Sequence, residues 1–272
     1  MMRNLAQRLL MGCLAYTAAI SLPVRGAHAG AWPQPADTTE VIVSVTHSLA
    51  HRQFDPRGTA QPRGRFRKIE TQVYAEHGLT SRVTLIGEVA RSTDKSEVLG
   101  VQFTNSAFRR LEAGARVYLF TWKETLYSID GSARLNTASH GNDPAASQSG
   151  DWDFEAGLST GVPFSQFGLT GFNETRIAYL YRPGVRPPET TADTTMGLKF
   201  GEEWIALLKS QNAYSLGRTP SPLGHFWSSK AELGIVRRFE PGFAVEAAAS
   251  QTIAGRNVPR ETSFKLAFWY TF

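Results

Sequence analysis

Beyond residue 29 the chain contains no cysteine. That excludes disulfides, a thiolate nucleophile and cysteine metal ligands from the part that folds. No apolar run there reaches the roughly 18 residues that a membrane-spanning helix needs. Nor is there an HExxH pair, a nucleophile elbow, a phosphate-binding loop or a dinucleotide fingerprint. Histidine is sparse: His47, His51, His77, His140 and His225 are scattered, and His47 and Ser48, being adjacent, point to opposite faces of a strand. Catalysis has no residues to stand on, so the sequence reads as a non-enzyme without cofactor or metal.

A strong charge of one sign is missing too. The formal charge is +5, but Arg3, Arg8 and Arg25 lie in a segment that reads as removable; without them 29 basic residues become 26 against 24 acids. A near-balanced chain gives no footprint for a nucleic-acid partner. The removable segment is residues 1–29, where Arg3 and Arg8 precede the uncharged stretch Leu9 to Leu22 and Ala27-His28-Ala29 supplies a small-x-small cleavage site. A rival reading takes Leu10-Met11-Gly12-Cys13 as a lipoprotein box, which would sit partway through the apolar stretch. Cleavage after Ala29 leaves residues 30–272 as one domain.

What the chain does have is alternation. In the last segment Phe264, Leu266, Phe268, Tyr270 and Phe272 alternate with Ser263, Lys265, Ala267, Trp269 and Thr271. Alternate residues of a strand face opposite sides, so one face is wholly apolar or aromatic. Leu111 to Leu119, Tyr127 to Leu135, Trp152 to Leu158, Ala231 to Ile235 and Phe243 to Ala249 repeat the division. Short turns are expected at Gly78-Leu79-Thr80-Ser81, Trp122-Lys123-Glu124, Val162-Pro163-Phe164, Gly201-Glu202 and Phe239-Glu240-Pro241-Gly242. Longer polar stretches separate them: Ala50 to Gly64, Ser92 to Asn105, Thr137 to Gly150, Pro183 to Thr190, Gly217 to Gly224 and Gly255 to Arg260.

Short turns on one rim and long loops on the other predict an all-β, transmembrane, antiparallel up-and-down barrel of about 12 strands (roughly 10–14). A β-sandwich also alternates. Here, however, segments of about ten residues suffice to cross the hydrocarbon when tilted. Trp122, Trp152, Phe164, Tyr179, Tyr181, Trp204, Trp227 and Tyr270 also gather at strand ends, as interfacial girdles do.

With the apolar sets facing lipid, the lumen receives Glu70, Arg110, Glu112, Arg116, Asp130, Arg134, Asp153, Glu155, Glu174, Arg176, Lys230, Glu232, Glu246 and Lys265. Eight strands leave room only for side chains and sixteen leave a water channel, so about twelve admits either a slender pore or a filled interior. Asp151, Asp153 and Glu155 share one face and form a candidate cation site, with ion pairing as the competing role. Arg52, Arg57, Arg63 and Arg65 crowd the first long loop, where they would meet lipopolysaccharide phosphates or an anionic polymer.

The terminal strand, ending on Phe272, resembles the C-terminal strands of bacterial outer-membrane proteins. Its likeness implies that Phe264, Leu266, Phe268, Tyr270 and Phe272 are the assembly signal read by the barrel-assembly machinery. Gly30-Ala31-Trp32-Pro33-Gln34-Pro35, the strand Val41 to Val45, and Tyr74-Ala75-Glu76-His77-Gly78-Leu79-Thr80 resemble XagA-type proteobacterial outer-membrane proteins. That resemblance implies a Gram-negative outer-membrane location and a role in passing or organising an exopolysaccharide in biofilms, and it carries over no catalytic residue. A channel for polysaccharide or small polar solutes and a non-conducting barrel acting through its loops both remain open.

Overall fold

The computed structural model describes residues 30–98, 100–135, 152–166, 168–183, 187–217, 225–239 and 241–272. It is a single antiparallel sheet closed on itself. The strands are β1 (Thr39–Phe54), β2 (Ala60–Gly78), β3 (Val83–Val98), β4 (Val101–Trp122), β5 (Thr125–Leu135), β6 (Trp152–Gln166), β7 (Leu169–Tyr181), β8 (Glu189–Phe200), β9 (Trp204–Ser215), β10 (Trp227–Phe239), β11 (Phe243–Arg256), the two-residue β12 (Val258–Pro259) and β13 (Thr262–Thr271). The twelve long strands follow one another around the barrel, and β1 closes it: Val43 stands opposite Phe268 on one side and Val73 on the other. Closure leaves no unpaired sheet edge, the condition for a sheet to lie in lipid.

Side-chain parity divides the two solvents. Val43, Val45, Val89, Ile129, Ile177, Leu233, Leu266 and Phe268 all point outward and are exposed. A continuous exposed apolar belt is untenable in water and is the lipid-facing surface of a barrel. Glu76, Ser44, Ser48, Ser92, Ser128, Ser159 and Glu246 point inward and are buried. Trp122, Trp152, Tyr179, Tyr181, Trp204 and Tyr270 are exposed near strand ends, where an interfacial girdle belongs.

Several boundaries differ from expectation. Ala50 to Gly64 is not a long loop: β1 and β2 run on to a turn at Asp55 to Thr59, so Arg52 lies in β1, Arg63 and Arg65 lie in β2, and only Arg57 is in a turn. Ser92 to Asn105 is likewise the end of a β3–β4 hairpin, in which Val98 pairs with Val101. Polar composition there reflects strands that outrun the membrane; β2 and β4 have 19 and 22 residues, where about ten cross the hydrocarbon. Gly255 to Arg260 is mostly strand, with Asn257 at φ 55 making the turn into β12.

Val162-Pro163-Phe164, expected as a turn, is strand: β6 runs on to Gln166, which pairs with Leu169 of β7. Pro163 pairs with Phe172 inside β6, beyond the last β5 partner at Gly161, so no ladder on that side needs its missing N–H. Residues 1–29, the expected loop Thr137 to Gly150, and Asp151 lie outside the described residues.

Candidate functional site: the lumen and its periplasmic closure

The chain enters its own barrel before it joins the wall. Residues 30–36 run through the lumen at the rim that carries both strand termini, which is the short-turn, periplasmic rim of such barrels. Polar groups of β2 to β5 grip one side of this segment. Ser128 donates to the Ala31 carbonyl (2.8 Å), Arg116 donates to the Trp32 carbonyl (3.1 Å), and Thr84 accepts from the Gln34 N–H (2.9 Å). Gln34 also donates to Glu76 (3.3 Å), which holds Arg116 through contacts of 2.8 and 3.3 Å. Tyr74 donates its hydroxyl to the same carboxylate.

The other side is apolar. Trp32 packs against a cluster formed by Phe172, Ile205, Leu207, Val236, Ala244, Ala267 and Trp269, and its indole meets Phe172 edge-on at 5.8 Å. Gly161 makes room for that indole: a Cβ there would lie 2.7 Å from the ring. Ala36 bridges to Gly78, and the Asp37 N–H bonds to the Gly78 carbonyl (2.8 Å) before β1 begins.

Above this closure the lumen is lined by paired charges. A ladder crosses five strands: Arg110 meets Glu88 (3.0 Å), Arg134 joins Glu112 (3.2 Å) to Glu155 (2.6 Å), and Arg176 joins Glu155 (2.6 Å) to Asp130. Across the lumen Lys265 holds Glu232 (2.8 Å) and Glu246 (2.9 Å), and Lys209 lies 3.3 Å from both. Arg182 pairs with Glu189 and approaches Asp153 at 3.8 Å. Nearer the far rim Lys68 reaches Glu70 (3.7 Å), Lys230 reaches Glu261 (3.9 Å), and Arg109 pairs with Asp94. Such charges are worth keeping in a barrel because each answers another; removing one partner leaves an uncompensated ion.

Of the fourteen lumen candidates read from the sequence, all but Glu174 form ion pairs, and Glu174 is buried. Asp153 and Glu155 meet arginines, and no metal-binding group of three or more His, Cys, Asp or Glu occurs among the described residues. Sequence reading missed Glu88, Asp94, Lys209 and Glu189, which period-2 parity could have placed, and the docked segment, which has no period to read. In the first hairpin Arg52, Arg57 and Arg63 have separate surroundings. Arg52 donates to the Ala60 carbonyl, Arg63 stacks over Phe66, and Arg57 sits in the turn capped by Asp55. Backbone N–H groups of Thr59 and Arg57 hold the Asp55 carboxyl below the ordinary aspartate range.

Solvent access separates the two zones. Side chains of Arg110, Glu70 and Lys230 are 41%, 27% and 26% exposed, whereas Arg116 and Glu76 beside the segment are 4% and 1% exposed. Groups nearer the far rim meet solvent, the ladder carboxylates Glu112, Asp130 and Glu155 are only 10%, 9% and 6% exposed, and the periplasmic end around the segment is filled.

These features define a transmembrane β-barrel of the outer-membrane type. The sequence matches no described protein family and no curated protein. Solved structures match the fold. The COG4313 outer membrane channel from Pseudomonas putida F1 superposes with a TM-score of 0.72 at 10% identity, over 91% of this chain and 100% of that one. The translocator domain of the autotransporter NalP from Neisseria meningitidis gives 0.51 at 14% identity, over 86% and 88%. The NanC porin gives 0.51 at 6% identity, over 84% and 98%.

Proposed function

We propose that this protein is an outer-membrane channel for small polar solutes, narrowed at its periplasmic mouth by its own residues 30–36. The observation that carries this is the contrast between a charge-lined lumen whose far end meets solvent and a periplasmic mouth narrowed by a short, non-strand segment. Charges of both signs, paired and distributed around the wall, favour neutral or zwitterionic solutes over strongly charged ones. The fold likeness to a channel and a porin supports conduction by analogy. The reading assigns no bond-making or bond-breaking step to any residue.

Export of a polysaccharide, which the XagA-type resemblance implies, would require the docked segment to leave the lumen while a polymer passes. A second reading, a non-conducting envelope barrel, is favoured by the density of ion pairs and by the filled periplasmic end. Proteoliposomes containing the processed chain distinguish the three, using influx of an amino acid, a disaccharide and longer oligosaccharides. The channel reading expects entry of the small solutes and exclusion of the oligosaccharides, with exclusion relaxed when residues 30–36 are deleted. Rapid oligosaccharide entry with the segment intact favours polymer export. No influx of any solute, even after the deletion, refutes conduction.

A further inference from the structure

Three carboxylates, Glu40, Glu76 and Glu174, are buried around the docked segment. Arg116 answers Glu76 directly, and Glu40 receives the Thr271 hydroxyl. Glu174 differs. No side-chain donor reaches either of its oxygens; the Ala31 N–H is the backbone group turned toward it, and Arg116 and Lys209 act only at longer range. A buried carboxylate with no contacting cation is costly. Its close neighbour is Gly30, where a Cβ would stand 2.7 Å from Oε1. Gly30 also directly follows Ala27-His28-Ala29, the small-x-small pattern that a signal peptidase cuts.

We propose that cleavage after Ala29 creates the missing cation, so that the new α-ammonium of Gly30 pairs with Glu174 and locks the segment in the lumen. Hydrolysis consumes one water, leaves a carboxylate on Ala29, and leaves an amine on Gly30 that takes up a proton at neutral pH. A free α-amino group titrates near about 7.7–8.0, so it is mostly charged there, whereas the peptide N–H of the uncut chain is neutral. The periplasmic closure is thereby completed by processing. The inference rests on the docked segment and is independent of whether the barrel conducts.

The test uses refolded chains beginning at Gly30 with a free or an Nα-acetylated amine, each with Glu174 or with Glu174→Gln. Hydrogen exchange at the Gln34 amide, which bonds to Thr84, reports release of the segment. Acetylation should speed that exchange at least about tenfold with Glu174 present and have no further effect in E174Q. Equal exchange in free and acetylated chains, or an acetylation effect that persists in E174Q, overturns the proposal. Should E174Q fail to fold, titration of the Gly30 amine decides. A value above the free-amine range is expected, and one at or below it overturns the pairing. Mass spectrometry of protein taken from outer membranes must show a chain starting at Gly30; any other start also overturns it.

On the outside of the barrel, Arg65 and Arg67 of β2, Lys95 of β3 and Gln102 of β4 line a cleft of about 140 Å³. Arg67 and Lys95 are direct cross-strand partners, a like-charge pair that opposes pairing. Among the described residues no carboxylate forms an ion pair with Arg65, Arg67 or Lys95, although Glu97 stands opposite Gln102; Arg67 donates its Nε to His47 Nε2 (2.9 Å) and keeps its terminal guanidinium nitrogens for a ligand. The lumen cations of the charge ladder, by contrast, all face acids. Arg67 stands two residues, about 7 Å of strand, beyond the lipid-facing Ile69. That rise carries Arg67 from the apolar belt toward the headgroups. We infer that this cleft binds a phosphate of lipopolysaccharide, through charge-assisted hydrogen bonds.

Nanodiscs containing phosphorylated or dephosphorylated lipid A, with the processed chain or its R65Q/R67Q/K95Q variant, test this by native mass spectrometry. Retention of phosphorylated lipid A should fall at least about tenfold in the variant, while R57Q retains it. Equal retention by the variant, or equal retention of dephosphorylated lipid A, overturns the inference. Competition by inorganic phosphate alone at the lipid's own concentration would assign the cleft to free phosphate and overturn the lipid assignment.

Discussion

Replacing Glu76 by glutamine isolates what holds the N-terminal segment in the lumen. Glu76 accepts from Arg116, Gln34 and Tyr74 and is almost wholly buried. A glutamine of the same shape keeps the Gln34 contact but leaves the Arg116 guanidinium without its directly bonded carboxylate. Removing one partner of a buried ion pair costs about 3–5 kcal/mol. Glu174 lies within electrostatic range of Arg116 and softens the loss, which sets the expectation near the low end. About 3 kcal/mol corresponds to about a hundredfold change in an equilibrium. Arg116 also holds the Trp32 carbonyl, so the loss falls on the docked state.

Ala31 is fully buried, and a chain beginning at Gly30 contains no cysteine, so Ala31→Cys in that chain gives a single reporter. With opening faster than labelling, the rate of attack by a water-soluble thiol reagent follows the open population. Glu76→Gln should raise that rate about a hundredfold, while the heat-modifiable gel shift of the folded barrel persists. An unchanged labelling rate would refute the argument that this buried pair governs docking.

Other sites give further outcomes. Leu233 points outward from the middle of β10, opposite Leu208 and Ala249. Leu233→Arg should destabilise the barrel in vesicles by about 2–4 kcal/mol by denaturant titration, and a change near zero would place that face outside the hydrocarbon. Lys123 and Glu124 form a two-residue turn with φ of 46 and 68, so Glu124→Gly should stabilise by about 1 kcal/mol by relieving the left-handed conformation. The depressed Asp55 carboxyl contributes order to the β1–β2 hairpin above the ordinary aspartate pKa, near about 3.9, and loses it as pH falls through the lower folded value. Protection of the Arg57 and Thr59 amides, taken relative to intrinsic exchange at each pH, should therefore fall in acid, and Asp55→Asn should flatten that dependence.

The sheet was legible because its two solvents write a period of two into every strand. Leu233, Phe264 and Phe268 declare the lipid face, and Glu232, Lys265 and Glu246 the lumen. Strand ends were less legible, since strands that leave the membrane lose their apolar face while keeping their hydrogen bonds. Arg63, Arg65 and Lys95 looked like loop for that reason. Pro163 looked like a turn because a missing N–H matters only where a neighbour needs it. The docked segment was invisible to periodicity. Trp32 and Gln34 are fixed by partners on distant strands, Gly161, Thr84 and Glu76, and only the closed barrel brings those together.

Single-channel current in a planar bilayer, compared between chains beginning at Gly30 and at Asp37, shows whether residues 30–36 narrow the lumen. Small or infrequent steps are expected with the segment and larger, reproducible ones without it, both from barrels that keep their heat-modifiable shift. Equal conductance from the two, or a silent bilayer with both, would contradict a lumen closed by its own N-terminal segment.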